Sequence, residues 1–128
     1  ISAICDSAFE NNQKLKKVTL TKNIRLVGKS AFKNCVNLES VTRLFASEAL
    51  TIDDNAFQNC YKLSELKVGK IYYIGDRAFS NCKSILTIDI GFCNYIGDRA
   101  FEWWTSGQTI YYKSGKYTRN ALQKELLR

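Results

Sequence analysis

The chain has 128 residues, a net charge of +7 and 45% hydrophobic residues. That suits one domain burying roughly two-thirds of its unfolded surface and excludes a disordered chain. It contains no histidine, which excludes histidine triads, histidine general bases and histidine metal sites. No apolar run reaches the roughly 18 residues that cross a bilayer, so no membrane insertion is expected.

The opening residues, Ile1 to Asp6, are neither an export signal nor a natural start. They suggest a fragment whose upstream repeats were removed. From there one frame returns along the chain. Ala-Phe occurs at Ala8-Phe9, Ala31-Phe32, Ala56-Phe57, Ala78-Phe79 and Ala100-Phe101, at spacings of 23, 25, 22 and 22 residues. An aliphatic residue stands four before each alanine: Ile4, Val27, Ile52, Ile74 and Ile96. Asparagine follows two after the phenylalanine in four copies, and Cys35, Cys60 and Cys82 come next in three. The stretches Leu63–Val68 and Ile85–Ile90 alternate apolar and polar residues, which predicts short strands with one face buried. Such units cannot bury their apolar side alone and must stack. The expected architecture is an α/β repeat: a solenoid of about five coils with a parallel sheet on one face.

Two departures carry expectations of their own. Arg43 falls where an apolar strand residue belongs, within the 25-residue unit, and predicts a bulge or shifted register. In the fifth copy Trp103-Trp104 replaces Asn-Cys, the strand continues at Ile110 and Tyr112, and the solenoid is expected to end at residue 112. Residues 113–128 are then a cap helix closing the open end, with Tyr117, Ala121, Leu122 and Glu125/Leu126 at helical spacing and both tryptophans packing nearby. A solenoid needs such a lid.

The frame Ile-Gly-Asp-Arg-Ala-Phe-x-Asn-Cys-x-x-Ile-x-x-Ile-x-Ile over Ile74–Ile90 resembles the BspA-like leucine-rich repeat. The resemblance covers roughly residues 1 to 112. It implies a leucine-rich-repeat solenoid and a cell-surface or secreted protein that binds macromolecules of a host or neighbouring cell. Proline, frequent after the strand in such repeats, is absent here.

Candidate chemistry is sparse. Cys35, Cys60 and Cys82 share one repeat position and should stack at the strand spacing of about 5 Å as reduced, buried thiols. No short Cys-x-x-Cys spacing suggests a metal site, and five cysteines do not make a disulfide framework. Asp76 and Asp98 share a turn position and are expected to cap turns and pair with Arg77 and Arg99. No phosphate loop or nucleophile elbow occurs. No enzyme, cofactor or metal is expected.

Binding is the remaining class. Positions eight and ten past each phenylalanine point outward from the strands. They are Lys17, Ser40, Glu65, Thr87 and Thr109 in one column, and Thr19, Thr42, Lys67, Asp89 and Tyr111 in the other. This polar face is the candidate surface for a protein or glycan partner. Tyr72, Tyr73 and Tyr95 form a second, aromatic set better explained as packing between coils. Charge gathers at the ends: residues 1–33 hold seven basic and two acidic side chains, and residues 112–128 five and one. Lys14, Lys16, Lys17 and Lys22 are therefore candidate polyanion contacts. Nucleic acid would favour a basic stripe with stacking aromatics along the groove, which is missing. A monomer is expected, and the rival to a binding role is a structural spacer presenting another domain.

Overall fold

A computed structural model describes residues 2–128; Ile1, the first residue of the expected repeat region, lies outside them. The chain winds as five parallel coils, each with a strand, a tight turn and a second strand. The leading strands are β1 (Ala3–Ile4), β3 (Leu26–Val27), β5 (Leu50–Ile52), β7 (Ile71–Ile74) and β9 (Tyr95–Ile96). They form one five-stranded parallel sheet with Ile4, Val27, Ile52, Ile74 and Ile96 in register. This sheet is an addition to the single sheet expected from sequence. Two-residue strands such as β3 show no alternation; only stacking defines them.

The trailing strands are the expected ones: β2 (Lys17–Leu20), β4 (Ser40–Arg43), β6 (Glu65–Lys67), β8 (Thr87–Gly91) and β10 (Thr109–Tyr112). Val18, Val41 and Leu66 pair in register, as do Ile88 and Ile110. The column is nevertheless broken. β6 and β8 do not pair, leaving a β2-β4-β6 sheet and a β8-β10 sheet extended by antiparallel β11 (Gly115–Tyr117). Val41 and Ile110 are fully buried and Ile88 nearly so, whereas Val18, in the end coil, and Leu66, at the break, are half-buried.

The turns form a third ladder. In each, two residues four apart take left-handed backbone angles, such as Ser30 and Asn34 (φ 56° and 61°) or Asn55 and Asn59 (61° and 62°). Asparagine tolerates this region better than most side chains. The alternation aims every second N–H at the following coil. Ser7, Phe9 and Asn11 donate to Lys29, Ala31 and Lys33, and the pattern repeats at all four coil interfaces with bonds of 2.8–3.1 Å. Asparagine side chains run beside it, Asn34 donating to Asn11 and Asn59 to Asn34, each at 2.8 Å. Inside the turns the five phenylalanine rings stack with centroids 5.3–5.8 Å apart and planes within 8°. Phe32, Phe57, Phe79 and Phe101 are buried, and Phe9 in the first coil is 38% exposed.

Glycine in this frame has a steric cause. A Cβ on Gly75 would lie 2.4 Å from Asp54 N and 2.5 Å from its carboxylate oxygen; Gly28 over Asp6 and Gly97 over Asp76 are equally tight. Those aspartates accept the N–H of Lys29, Asp76 and Asp98 at 2.8 Å. Coil two carries Lys29 where the aspartate would be, and above it the glycine is replaced by Asp53. The Asp53 carboxylate then accepts the Asp54 N–H itself, at 2.8 Å. Asp76 thus caps a turn as expected, whereas Asp98 takes part only through its own backbone N–H. Arg77 and Arg99 pair with Glu102, at 3.4 and 3.9 Å, not with either aspartate.

Arg43 also differs from expectation. Register is unbroken at Leu20↔Arg43, so no bulge exists there. The guanidinium turns inward, 4% exposed, and donates to the carbonyls of Val68, Ile24 and Glu48 at 2.9, 2.9 and 2.7 Å. Burial lowers its pKa, and three carbonyls stand in for a counter-ion. The register shift of the long unit lies instead in the other sheet, at Leu50/Thr51 against β7.

At the C-terminus the helix is shorter than 113–128. After the β11 hairpin, Thr118 caps α1 (Arg119–Leu126) by accepting the Ala121 N–H. Leu122 alone of the helix is buried; Ala121 and Leu126 are exposed. Trp104 packs edge-on to Phe101 at 4.9 Å, while Trp103 is 66% exposed and not part of the lid.

Phe57→Ala should cost about 3–5 kcal/mol in denaturant unfolding, because it opens a cavity in the middle of the ring stack. Phe9→Ala, at the exposed end, should cost far less. Equal costs would contradict the stacked column.

Candidate functional site

The candidate surface is the outer side of the trailing strands. The ladders place Lys17, Ser40 and Glu65 in one row and Thr19, Thr42 and Lys67 in the next. Beyond the break, Thr87 pairs with Thr109 and Asp89 with Tyr111. Lys17, Thr19, Glu65, Lys67, Thr87, Asp89 and Tyr111 are exposed, and Ser40 and Thr42 partly so. The expected columns therefore exist as two plates rather than one continuous face.

Between the plates lies a groove of about 750 Å³. Its rim carries Lys67, Lys70, Thr87, Asp89 and Phe92, and its floor Leu66, Val68, Ile71, Ile88 and Ile90. Both banks are tied away from each other. On one side Arg43 holds the Val68 carbonyl toward the second coil, and Gly69, at φ +75°, turns the chain away. On the other, the Lys113 N–H donates to the Gly91 carbonyl at 2.6 Å, securing β8 to the fifth coil. Sequence reasoning found Lys67, Thr87 and Asp89 but missed the corners Val68–Lys70 and Ile90–Phe92. Arg43 was the signal available, since an arginine in an apolar column must find carbonyls somewhere.

The other candidates stay separate. Lys14, Lys16, Lys17 and Lys22 are exposed around β2 in the first coil, and none takes part in an ion pair among the described residues. Tyr73 and Tyr95 stack on the five-stranded sheet, centroids 4.7 Å apart, with Tyr72 exposed beside them. The Tyr73 hydroxyl is pushed up in pKa by desolvation, then by Asp54, Tyr95, Asp53 and Asp76. Among the described residues no helix is long and apolar enough to cross a membrane.

The cysteines form an internal ladder. Cys35, Cys60 and Cys82 are fully buried and donate Sγ–H to the carbonyls of Phe9, Phe32 and Phe57 at 3.0–3.1 Å. In the fifth coil Trp104 takes this position, its indole N–H reaching the Phe79 carbonyl at 2.9 Å. Burial raises all three thiols, Cys82 to about 12. All five cysteines are free; Cys93 is buried and Cys5 exposed.

Comparisons with known proteins agree on the architecture. Residues 1–117 match the family model described as BspA type leucine rich repeat region, in six copies. A search of the curated proteins finds no match. Among solved structures, a leucine rich cell surface protein from Faecalibacterium prausnitzii A2-165 is similar in fold, with TM-score 0.50 and 19% identity over 88% of this chain. This chain spans 39% of that protein.

Native thiol titration should label Cys5 readily and leave Cys35, Cys60 and Cys82 protected until denaturant is added, since a thiol must ionise to react. The raised pKa also sets a pH trend. Unfolded thiols ionise near 9.0 and the buried ones do not. The native state then holds more protons, and stability should fall as pH rises from 9 toward 12. Rapid native labelling of the three would contradict both statements.

Proposed function

The chain belongs to the BspA-type leucine-rich-repeat family, and on that premise we propose that it is a non-enzymatic binding module. It would act at a cell surface or in secreted form, as an adhesion-type element, and recognise a protein or glycan through the outer side of its trailing strands. The observation that carries this reading is the pair of polar plates flanking an apolar-floored groove. The side chains there stand on strands locked in register, so ordering them on binding costs little conformational entropy. Pockets with apolar linings and a few polar groups are the usual sites of recognition. The structural relative is a leucine rich cell surface protein, which supports the location. Four exposed lysines of the first coil, free of ion pairs among the described residues, favour a second reading as a polyanion site.

Salt separates the two. Binding of the purified chain to intact cells and to a heparin matrix would be followed across a salt series. If the plates bind, the Glu65→Ala/Lys67→Ala variant should weaken cell binding and salt should matter little. A polyanion site would instead show a steep dependence, each released counterion adding to the slope. Retention on heparin would then vanish when Lys14, Lys16, Lys17 and Lys22 are changed to Ser. Salt-sensitive binding lost in the lysine variant and unchanged in the Glu65/Lys67 variant would overturn the proposal.

A further inference from the structure

We propose that the groove between β6 and β8 takes an extended acidic peptide, which pairs its backbone with the free edge of β8. This rests on the binding reading above and names the chemistry of the partner. The main-chain groups point to it. At the interface of coils three and four, the β5–β7 ladder and the turn bonds of Asn55, Phe57 and Asn59 are all made. Only the β6–β8 ladder is missing, so the coils part on one face alone.

The ladder pattern says which groups are left. In a parallel sheet alternate residues turn their N–H and C=O to opposite sides. Thr109 N–H donates to the Leu86 carbonyl, so the backbone of Ile88 faces β10. Thr87 and Asp89 then turn their backbone groups to the groove. On the opposite bank Glu65 N–H donates to Glu39, which leaves Leu66 facing the groove. An unpaired edge held open in the middle of a sheet is a template for an added strand. Here the gap is flanked by closed ladders, with Arg43 holding its β6 bank and Lys113 its β8 bank, so the edge is not a fraying end.

Side chains supply selectivity. Of the three charged residues lining the groove, two are lysines, Lys67 and Lys70, both exposed and without an ion pair among the described residues. The third, Asp89, spends a carboxylate oxygen on its own turn, accepting Gly91 N–H at 2.9 Å. Alternate residues of a bound strand would face the apolar floor around Leu66 and Ile88. Phe92, 75% exposed at the rim, offers an aromatic anchor of the kind that concentrates binding energy. A volume of about 750 Å³ lies within the usual range for ligand pockets.

The probe is a fluorescein-labelled peptide of about six residues alternating valine with glutamate, titrated against the full chain by anisotropy. Binding should be saturable and shift the amide signals of Thr87 and Asp89 in NMR spectra. N-methylating alternate peptide amides should weaken it at least about tenfold, because the strand bonds are lost. Lys70→Glu, on an exposed side chain, should weaken it about tenfold. Absence of binding, equal binding of the N-methylated peptide, or equal binding of a valine–lysine peptide would each overturn the proposal. If the peptide fails while Glu65→Ala/Lys67→Ala still weakens cell binding, the plates remain the site and only the strand-addition proposal falls.

Discussion

Every coil is joined to the next by a turn whose alternate N–H groups point along the solenoid axis. Left-handed residues at both ends of that turn make the alternation possible. The rest of the frame follows from the close approach it imposes. Phenylalanine rings must lie flat on one another, cysteine places a buried donor on the carbonyl of the previous coil, and glycine is needed wherever an aspartate lies beneath. Each backbone bond contributes about 0.5–1.5 kcal/mol net and each stacked ring pair a similar amount beyond its burial. Summed over four interfaces, these contacts hold coils that could not fold singly.

The same constraint explains where the solenoid can depart from regularity. The turn column and the leading strands tolerate no gap, since both carry the coil-to-coil bonds of the whole stack. The trailing strands have more freedom, because corners such as Val68–Lys70 join them to the next coil. Arg43 uses that freedom by drawing one corner back to the second coil. The groove is the result, and it puts exposed lysines and an unpaired strand edge on an otherwise rigid surface.

Much of this was legible in the sequence, and the exceptions have physical reasons. The Ala-Phe-x-Asn-Cys frame carried the coils and the buried thiols, since each repeats where geometry demands one size and polarity. Outward residues such as Thr42 and Lys67 followed from strand alternation. The leading sheet was hidden because Leu26–Val27 and Tyr95–Ile96 are too short to show a period. Arg43 was visible as an anomaly, but its three carbonyl partners come from segments 5 to 25 residues away. The groove was hidden for the same reason: absence of pairing between β6 and β8 is a property of tertiary ties, not of either strand. At the C-terminus, Tyr117 belongs to a hairpin strand, and helical spacing alone could not separate it from the helix that begins at Arg119.

Hydrogen exchange resolved to single amides tests the central claim most directly. Phe32, Phe57 and Phe79 donate to the coil that follows, whereas Phe101 has no following coil and borders an open pocket beneath α1. The first three amides should exchange slowly and as one class, and Phe101 much faster. Fast exchange at Phe57, or protection of Phe101 equal to it, would show that the turn column is not what joins the coils.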